Sequence, residues 1–184
     1  TSYTVDIGSE YDKLDITAIP TDPNSTVEIT NNNFIPSGQS TININVTAPD
    51  NVTKMTYTLL VTKSLSKNNY LKDLNVTNFE FDKEFNKQNT GPYIINVDSH
   101  VNSINVNAIP DVNSATVTGD GNIKLTTGKN LISVNVVSES GELRTYSIIV
   151  NKAADTDSTL KDILLSDGDL DPEFDPAILD YEVV

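Results

Sequence analysis

Hydrophobic and polar residues alternate along most of this chain. Apolar side chains take every second position in residues 42–46, 104–108 and 132–136, with Asn or Ser between them. This two-residue period predicts strands with one buried face, because successive side chains of a strand point to opposite faces of a sheet. No window shows a sustained helical period, so the pattern predicts an all-β fold.

Turn-forming residues separate these stretches. Prolines, Asn and Gly punctuate residues 20–24 and 36–38, and Glu-Ser-Gly-Glu at 139–142 predicts a hairpin turn. In the middle of the chain we predict seven strands, near residues 71–77, 93–98, 103–109, 115–118, 122–126, 130–138 and 143–151. Short strands with a turn signal about every 8–12 residues indicate an immunoglobulin-like β-sandwich.

The chain also repeats itself. Ala-Ile-Pro at residues 18–20 recurs at residues 108–110, and Leu-Lys-Asp-Leu at 71–74 recurs as Leu-Lys-Asp-Ile at 160–163, with shifts of 90 and 89 residues. Three similar segments are led by a tyrosine, with shifts of 90 and 88 residues, namely Tyr3, Tyr93 and Tyr181. A constant shift across separate anchors predicts tandem β-sandwich repeats of about 90 residues.

The repeat divides the chain into five parts. They are a β-sandwich repeat lacking its first strand (residues 1–63, the head segment), a linker (64–69), a complete β-sandwich repeat (70–152, the middle segment), a linker (153–158) and the first two strands of a third repeat (159–184, the tail segment). The two tail strands are predicted through Leu160, Ile163 and Leu165, and through Tyr181 and Val183. The chain begins and ends within the pattern, which indicates part of a longer protein.

A permuted division is the alternative. In it the units are two domains, residues 1–90 and 91–184. The packing of Leu71 and Leu74 distinguishes the two divisions. Contact with Tyr146 favours the first division, and contact with Tyr57 favours the permuted one.

The two partial segments predict self-association. A two-strand piece is marginal alone in water, and the head segment would leave an open sheet edge. We therefore expect head-to-tail association, in which residues 159–184 of one molecule complement residues 1–63 of the next. Folding back within one chain is disfavoured, because the tail would pass the middle segment, on the order of 35 Å, on a linker with a reach of roughly 20 Å.

The order of the repeated residues resembles a known family. In the tail the residues that carry the resemblance are Leu160, Ile163, Pro172, Phe174, Asp175, Pro176 and Tyr181. In the middle segment they are Leu71, Leu74, Phe85, Tyr93, Gly128, Asn130, Thr145, Tyr146, Ile148 and Val150. They resemble the bacterial cadherin-like β-sandwich repeat, an immunoglobulin-like family of Gram-positive surface proteins. The middle copy departs from the pattern, since no prolines flank Phe85. The resemblance implies secreted or wall-attached tandem arrays and no catalytic residues.

Charge and composition limit the classes of partner that the chain is expected to bind. The net charge is −14 and the isoelectric point is about 4.2, so the long-range field repels nucleic acid and anionic membrane surfaces. The chain has no cysteine, which excludes a disulfide framework and a Cys-based zinc site. We expect no nucleic-acid partner and no membrane insertion, because the apolar runs are far too short to span a bilayer.

Acidic residues give the one metal candidate. Oxygen ligands at alternate positions suit calcium, and Asp167, Asp169 and Asp171 have this spacing. Asp155 and Asp157 lie in the second linker, where the resemblance to cadherins implies an interdomain calcium site. The run from Asp167 is not an EF-hand, because its twelfth position is Ile178. We expect a solvated loop there, and no cofactor.

Catalytic and sugar-binding patterns are weak. His100 is the single histidine, predicted in a loop, and nothing in the sequence marks partners for a catalytic triad. There is no tryptophan, and only Tyr11 and Tyr70 fall outside the repeat. We therefore expect a non-enzymatic structural spacer, stalk or adhesive scaffold on a bacterial cell surface, extracellular or in the cell wall, beside neighbouring repeats of the same protein. The alternative is an accessory binding module for a glycan or a host protein.

Overall fold

The computed structural model describes residues 2–184, and within that range it contains strands and no helix. The strands are β1 (Ser2–Ile7), β2 (Thr26–Thr30), β3 (Gly38–Thr47), β4 (Lys54–Lys63), β5 (Leu71–Val76), β6 (Tyr93–Val97), β7 (Ser103–Pro110), β8 (Thr116–Thr118), β9 (Gly121–Lys124), β10 (Gly128–Val137), β11 (Leu143–Lys152), β12 (Leu170–Asp171) and β13 (Glu182–Val183). The predicted all-β class is confirmed. In this range no helix has the length and hydropathy needed to cross a membrane.

The middle segment is a two-sheet sandwich. One sheet has the order β6-β11-β10-β8 and the other β5-β7-β9. The inward-facing residues of both sheets form one cluster of 16 buried hydrophobic side chains. Tyr93 and Tyr146 are its largest members, and both are fully buried. The seven predicted strands are present, with ends shifted by a few residues.

Strand β5 packs into the sandwich that follows it. Leu71 and Leu74 belong to the same buried cluster as Tyr146 and Val150. The amide of Leu71 also donates a hydrogen bond to the hydroxyl of Tyr146, at 3.3 Å. These contacts are the ones expected if residues 70–152 form a unit, so they favour that division over the permuted one, although the domain limits themselves stay a prediction.

The head segment contains the counterpart of the four-stranded sheet, and among its described residues no strand corresponds to the three-stranded sheet. Its order, β1-β4-β3-β2, matches β6-β11-β10-β8, with the first pair parallel and the others antiparallel in both. Only Ile35, Ile42 and Val61 are buried in its hydrophobic cluster. Residues 13–20, the counterpart of β7, form no strand. The head core is therefore open on one side.

The predicted first strand of the tail is wrong. Residues 160–165 form no strand, and the tail's short pair joins β12 to β13 instead. A strand needs a neighbour for its backbone groups, and no strand in the described part of the chain pairs with residues 160–165. The tail does reproduce one local feature of the middle segment. The Tyr181 ring lies 5.9 Å from that of Phe174, much as the Tyr93 ring lies 5.8 Å from that of Phe85.

Candidate functional site

An apolar groove on the head segment is the first candidate site. Its volume is about 550 Å³. Strands β3 and β4 form its floor, and the segment before β2 forms one wall. The lining includes Tyr3, Ala18, Ile44, Val46, Tyr57 and Leu59. Alternation of apolar residues along β3 and β4 places these side chains on one face, as the sequence pattern requires.

The middle segment shows which element of the fold occupies the equivalent surface. Tyr3 and Tyr57 in the head correspond by the repeat to Tyr93 and Tyr146. Tyr93 is fully buried, whereas 53% of Tyr3 is exposed. In the middle segment β5 covers the equivalent surface. It is an edge strand of the second sheet, and its buried side chains belong to the core. The groove is thus the position that a β5-like strand would occupy.

The backbone beside the groove is also unpaired. In the middle segment β7 pairs with β5 on one side and β9 on the other. Its counterpart in the head is held on the second side only: the Asn32 side chain bonds the amide and carbonyl of Leu14, at 2.9 and 2.6 Å, and the Ile35 amide donates to the Asp12 carbonyl, at 2.7 Å. The side that β5 would cover has no strand within residues 2–184.

The second candidate is the joint between head and middle segments, formed by linker residues 64–69. The linker is pinned at both ends. The Ser64 amide donates to the carbonyl of Ile7 in β1, at 3.0 Å. The Ser66 amide donates to Glu139 Oε2, at 2.8 Å, and its carbonyl accepts from the Ser140 amide, at 3.0 Å. The linker is therefore hydrogen-bonded to the β10–β11 turn.

Further contacts fix the second half of the linker. Asn68 Nδ2 donates to Asp111 Oδ2, at 2.9 Å. Arg144 Nε donates to Asn69 Oδ1, at 3.0 Å, and the Arg144 guanidinium lies 4.0 Å from the ring centre of Tyr70. Asn69 is buried. The stretch predicted as a plain linker is instead part of the packed surface of the middle segment.

Two carboxyl groups at the joint have a lowered pKa. The neighbouring Ser37 hydroxyl of the head and the hydrogen-bonded Ser66 amide hold the pKa of Glu139 below its ordinary value. The Asn68 amide and then Lys87 lower the pKa of Asp111 in the same way. Both groups are therefore charged at neutral pH. Glu139 lies in the β10–β11 turn and lines the same cleft as Ser37 of the head.

Lys63 is a structural residue that the sequence pattern does not reveal. Its side chain is buried at the end of β4, and Nζ donates to Asp12 Oδ1 at 2.8 Å and to the Ile35 carbonyl at 3.2 Å. Lys152 takes the equivalent place at the end of β11 and donates to Asn102 Oδ1, at 2.8 Å. The signal that could have found the pair is the recurrence of lysine at the 89-residue spacing.

The calcium candidates do not converge in the structure. Asp155 accepts from the Asp157 amide at 3.0 Å, and Asp157 accepts from the Thr159 amide and hydroxyl, which lower the pKa of Asp157. The other three candidates, Asp167, Asp169 and Asp171, lie in or beside the exposed β12 turn. Within residues 2–184 no group of three acidic or histidine side chains is placed to hold a metal ion.

The remaining candidates are isolated. His100 lies in an exposed turn, as predicted. The Arg144 guanidinium lies over one face of the Tyr70 ring, and Tyr70 is partly buried. Tyr11 is about half exposed, at 51%. Neither tyrosine forms part of an aromatic pair among the described residues.

The fold and its repeated sheet order define a β-sandwich protein of the cadherin-like type. The sequence matches the cadherin-like beta sandwich domain family in two stretches, residues 1–64 and 71–153. The chain therefore belongs to that family. A search of the curated proteins gave no match.

Several solved structures are similar in part. One is the human desmocollin-1 ectodomain, with 12% identity and a TM-score of 0.28 over 86% of this chain and 40% of that one. Another is human protocadherin-24 EC1-2, with 10% identity and a TM-score of 0.31 over 82% and 95%. A third is BT4661, a SusE-like surface located polysaccharide binding protein from Bacteroides thetaiotaomicron, with 12% identity and a TM-score of 0.29 over 85% and 34%. The chain spans less than half of the desmocollin-1 and BT4661 chains.

Proposed function

We propose that this chain is a non-enzymatic spacer, or stalk, that holds other modules of an extracellular bacterial surface protein away from the cell. The observation that carries the proposal is the joint at residues 64–69. A spacer must keep its units at a fixed angle, and a free six-residue linker would not do so. Here the linker is bonded to β1 on one side and to the β10–β11 turn on the other.

The joint is expected to be stiff because several groups of this short segment are held by hydrogen bonds. Ser66 is held through both its amide and its carbonyl, so neither of its backbone dihedrals turns without breaking a hydrogen bond. Asn69 is buried and bonded to Arg144. The Glu139 carboxylate accepts a hydrogen bond from the Ser66 amide, and hydrogen bonds to charged groups are stronger than neutral ones. The joint behaves as an extension of the sandwich.

Small-angle X-ray scattering on Glu139→Ala tests this role. The variant loses the carboxylate that binds the Ser66 amide in the cleft that Ser37 also lines, so a broader distribution of interatomic distances is expected, with an unchanged circular dichroism spectrum. Glu80→Ala, at an exposed loop position, is the matched control and should scatter like the parent chain. Identical scattering of all three proteins, or a parent chain that already scatters as two freely jointed bodies, would contradict the proposal.

The same joint gives a pH dependence. The pKa of Glu139 is lowered, so its contribution to the joint is present at neutral pH and is lost as pH falls through that lowered pKa. Acidification should therefore loosen the parent chain toward the distance distribution of Glu139→Ala. The variant itself should respond less over the same range.

A second candidate function is an accessory binding module, and the head groove favours it. The groove is mainly apolar and sits beside exposed Tyr3 and Met55. Such a surface suits a protein segment better than a glycan, which is usually stacked on flat aromatic faces. Binding of soluble glycans that is abolished by Tyr57→Ala, but not by Tyr11→Ala, would favour a sugar ligand instead.

A further inference from the structure

We propose that the side chains of Lys152 and Asn102 in the middle segment become joined by an amide bond. The proposal deepens the spacer role and rests on it only for the purpose of the bond, because the bond itself is measured by mass. Lys152 Nζ donates a hydrogen bond to Asn102 Oδ1, at 2.8 Å. The carbon that would be attacked is bonded to that oxygen, so the amine already lies beside it.

Both residues are held in place by the backbone. Lys152 is the last residue of β11 and lies in register with Val97 of β6 and Gly128 of β10. Asn102 directly precedes β7, and its backbone carbonyl accepts a hydrogen bond from the Leu125 amide, at 2.9 Å. Reacting groups that are held together react much faster than free ones, because folding has already removed their freedom to move apart.

Lys152 is a buried amine without an acidic partner. The residue is 8% exposed. Ion pairs within residues 2–184 are formed by Lys63, Lys67 and Lys87, and none includes Lys152. A buried charge that is not paired with an opposite charge costs free energy. Formation of an amide removes this charge from the protein.

The reaction exchanges one amide for another. After Nζ gives up a proton, its lone pair attacks the side-chain carbonyl carbon of Asn102. A bond from that carbon to Nζ forms, and its bond to Nδ2 breaks. The departing nitrogen takes up the two protons that Nζ loses, so a lysine ammonium and a primary amide give a secondary amide and an ammonium ion.

Two features of the surroundings suit this reaction. Asp98 lines the same surface pocket as Lys152, and its carboxyl group is available to carry a proton between the two nitrogens. Asn102 is exposed, so the ammonium ion has a path to solvent. Once the ammonium ion has diffused away, the reverse reaction has no co-reactant.

The head segment holds a matched pair that should stay non-covalent. Lys63 Nζ lies 2.8 Å from Asp12 Oδ1, and by the repeat these residues correspond to Lys152 and Asn102. A carboxylate is a poor acceptor for an amine, because its negative charge repels the incoming lone pair. The Asp12 side chain is also 71% exposed, so water competes for the same carbon. The head therefore keeps an ion pair where the middle segment has a reactive amide.

The bond would join the two sheets of the middle segment at the point where tension arrives. Lys152 ends β11 of the four-stranded sheet, and Asn102 leads into β7 of the three-stranded sheet. The second linker starts at Ala153, so a pull on that linker acts directly on β11. The chain has no cysteine, and a bond between side chains 50 residues apart would constrain the unfolded chain as a disulfide does.

Intact-mass spectrometry of the purified chain at neutral pH tests the proposal. The parent chain should be lighter than its sequence by one ammonia. Asn102→Asp converts the contact into the ion pair of the head and should have its full mass. Asn113→Asp, in an exposed loop of the same segment, is the matched control and should lose ammonia like the parent chain. A parent chain of full mass overturns the proposal.

Peptide mapping separates the bond from a succinimide, which also forms with loss of ammonia. Trypsin should not cut after Lys152, and the digest should contain one branched peptide that joins residues 88–124 to residues 145–161. Loss of ammonia with linear peptides alone overturns the proposal. Either negative result leaves the scattering test of the joint unaffected, so the bond and the spacer role fail separately.

Two further measurements test the chemistry and the purpose of the bond. In a time course after refolding, Asp98→Asn should lose ammonia more slowly than the parent chain, and an equal rate overturns the role given to Asp98. The middle segment of the parent chain should melt at least about 10 °C above that of Asn102→Asp. Equal melting temperatures overturn the mechanical role of the bond.

Discussion

Replacement of Leu74 by alanine tests whether β5 is part of the middle sandwich. Leu74 is 1% exposed and lies in the 16-residue cluster with Tyr93 and Tyr146. Truncating a buried leucine removes its transfer free energy and leaves a cavity, at a cost of about 2–5 kcal/mol. The neighbours are large rings and β-branched side chains on two fixed sheets, which collapse poorly into a void. We therefore expect a loss of about 3 kcal/mol from the free energy of unfolding of the middle segment.

Urea unfolding followed by circular dichroism measures the effect. For a unit of this size a loss of about 3 kcal/mol lowers the melting temperature by roughly 10–20 °C, which calorimetry would also resolve. Ile163→Ala is the matched control, because Ile163 holds the same place in the repeat but has no sandwich around it. At low protein concentration the control should cost less than about 1 kcal/mol.

Two results would refute the reasoning. If Leu74→Ala costs no more than Ile163→Ala, β5 is not packed as a core strand. If Leu74→Ala destabilises the head transition and leaves the middle one unchanged, β5 belongs with β4, as the permuted division requires.

Three further predictions follow from single contacts. Lys63→Met should destabilise the head by about 1–3 kcal/mol, because the Ile35 carbonyl loses its hydrogen-bond donor. Asp12→Asn should cost little, since the Asp12 side chain is 71% exposed. Urea unfolding of the two variants measures the difference. Burial raises the pKa of Tyr146 above its ordinary 10.0, so its contribution to stability is complete below that pH and is lost as pH rises further; melting of Tyr146→Phe should be less sensitive to alkaline pH. Calcium or a chelator should leave the melting temperature unchanged, and a calcium-dependent rise that Asp155→Asn with Asp157→Asn removes would contradict this.

The alternation of residues predicted the sheets well because burial imposes a period of two. Residues 42–46 and 132–136 lie in the central strands β3 and β10 of their sheets. The apolar face of β10 is buried, whereas β3 buries Ile42 and lines the open groove with Ile44 and Val46. The turn at residues 139–142 was predicted for the same local reason. Gly141 there has φ +91°, and Asn51 at the equivalent turn of the head has φ +59°, a conformation that both residue types tolerate.

Strand formation in the tail was not predictable from the local pattern. Residues 160–165 repeat the inward-facing apolar positions of β5, with Leu164 in place of the outward Asn75, but form no strand. The difference lies in the partner, since β5 pairs with β7, and a strand's stability depends on hydrogen bonds to a neighbour. A local pattern indicates which residues are able to form a strand. It does not indicate which other strand will pair with them.

The joint was missed for a related reason. Polar residues 64–69 have the composition of a flexible linker, and nothing local indicates that Glu139 caps Ser66 from 73 positions further along the chain. Glu139 is also the first residue of a predicted turn, where an acidic side chain is ordinary. Contacts between polar side chains of distant turns have no periodic signature, so only the folded arrangement brings them to view.

Amide hydrogen exchange at low protein concentration is the most direct test of the account, because it compares the covered groove with the open one in a single molecule. Residues 104–108 lie in β7, which pairs with β5, whereas residues 15–18 hold the same place in the head without that partner strand. The account predicts slow exchange in residues 104–108 and fast exchange in residues 15–18. Equal protection of the two stretches in the dilute monomer would contradict it.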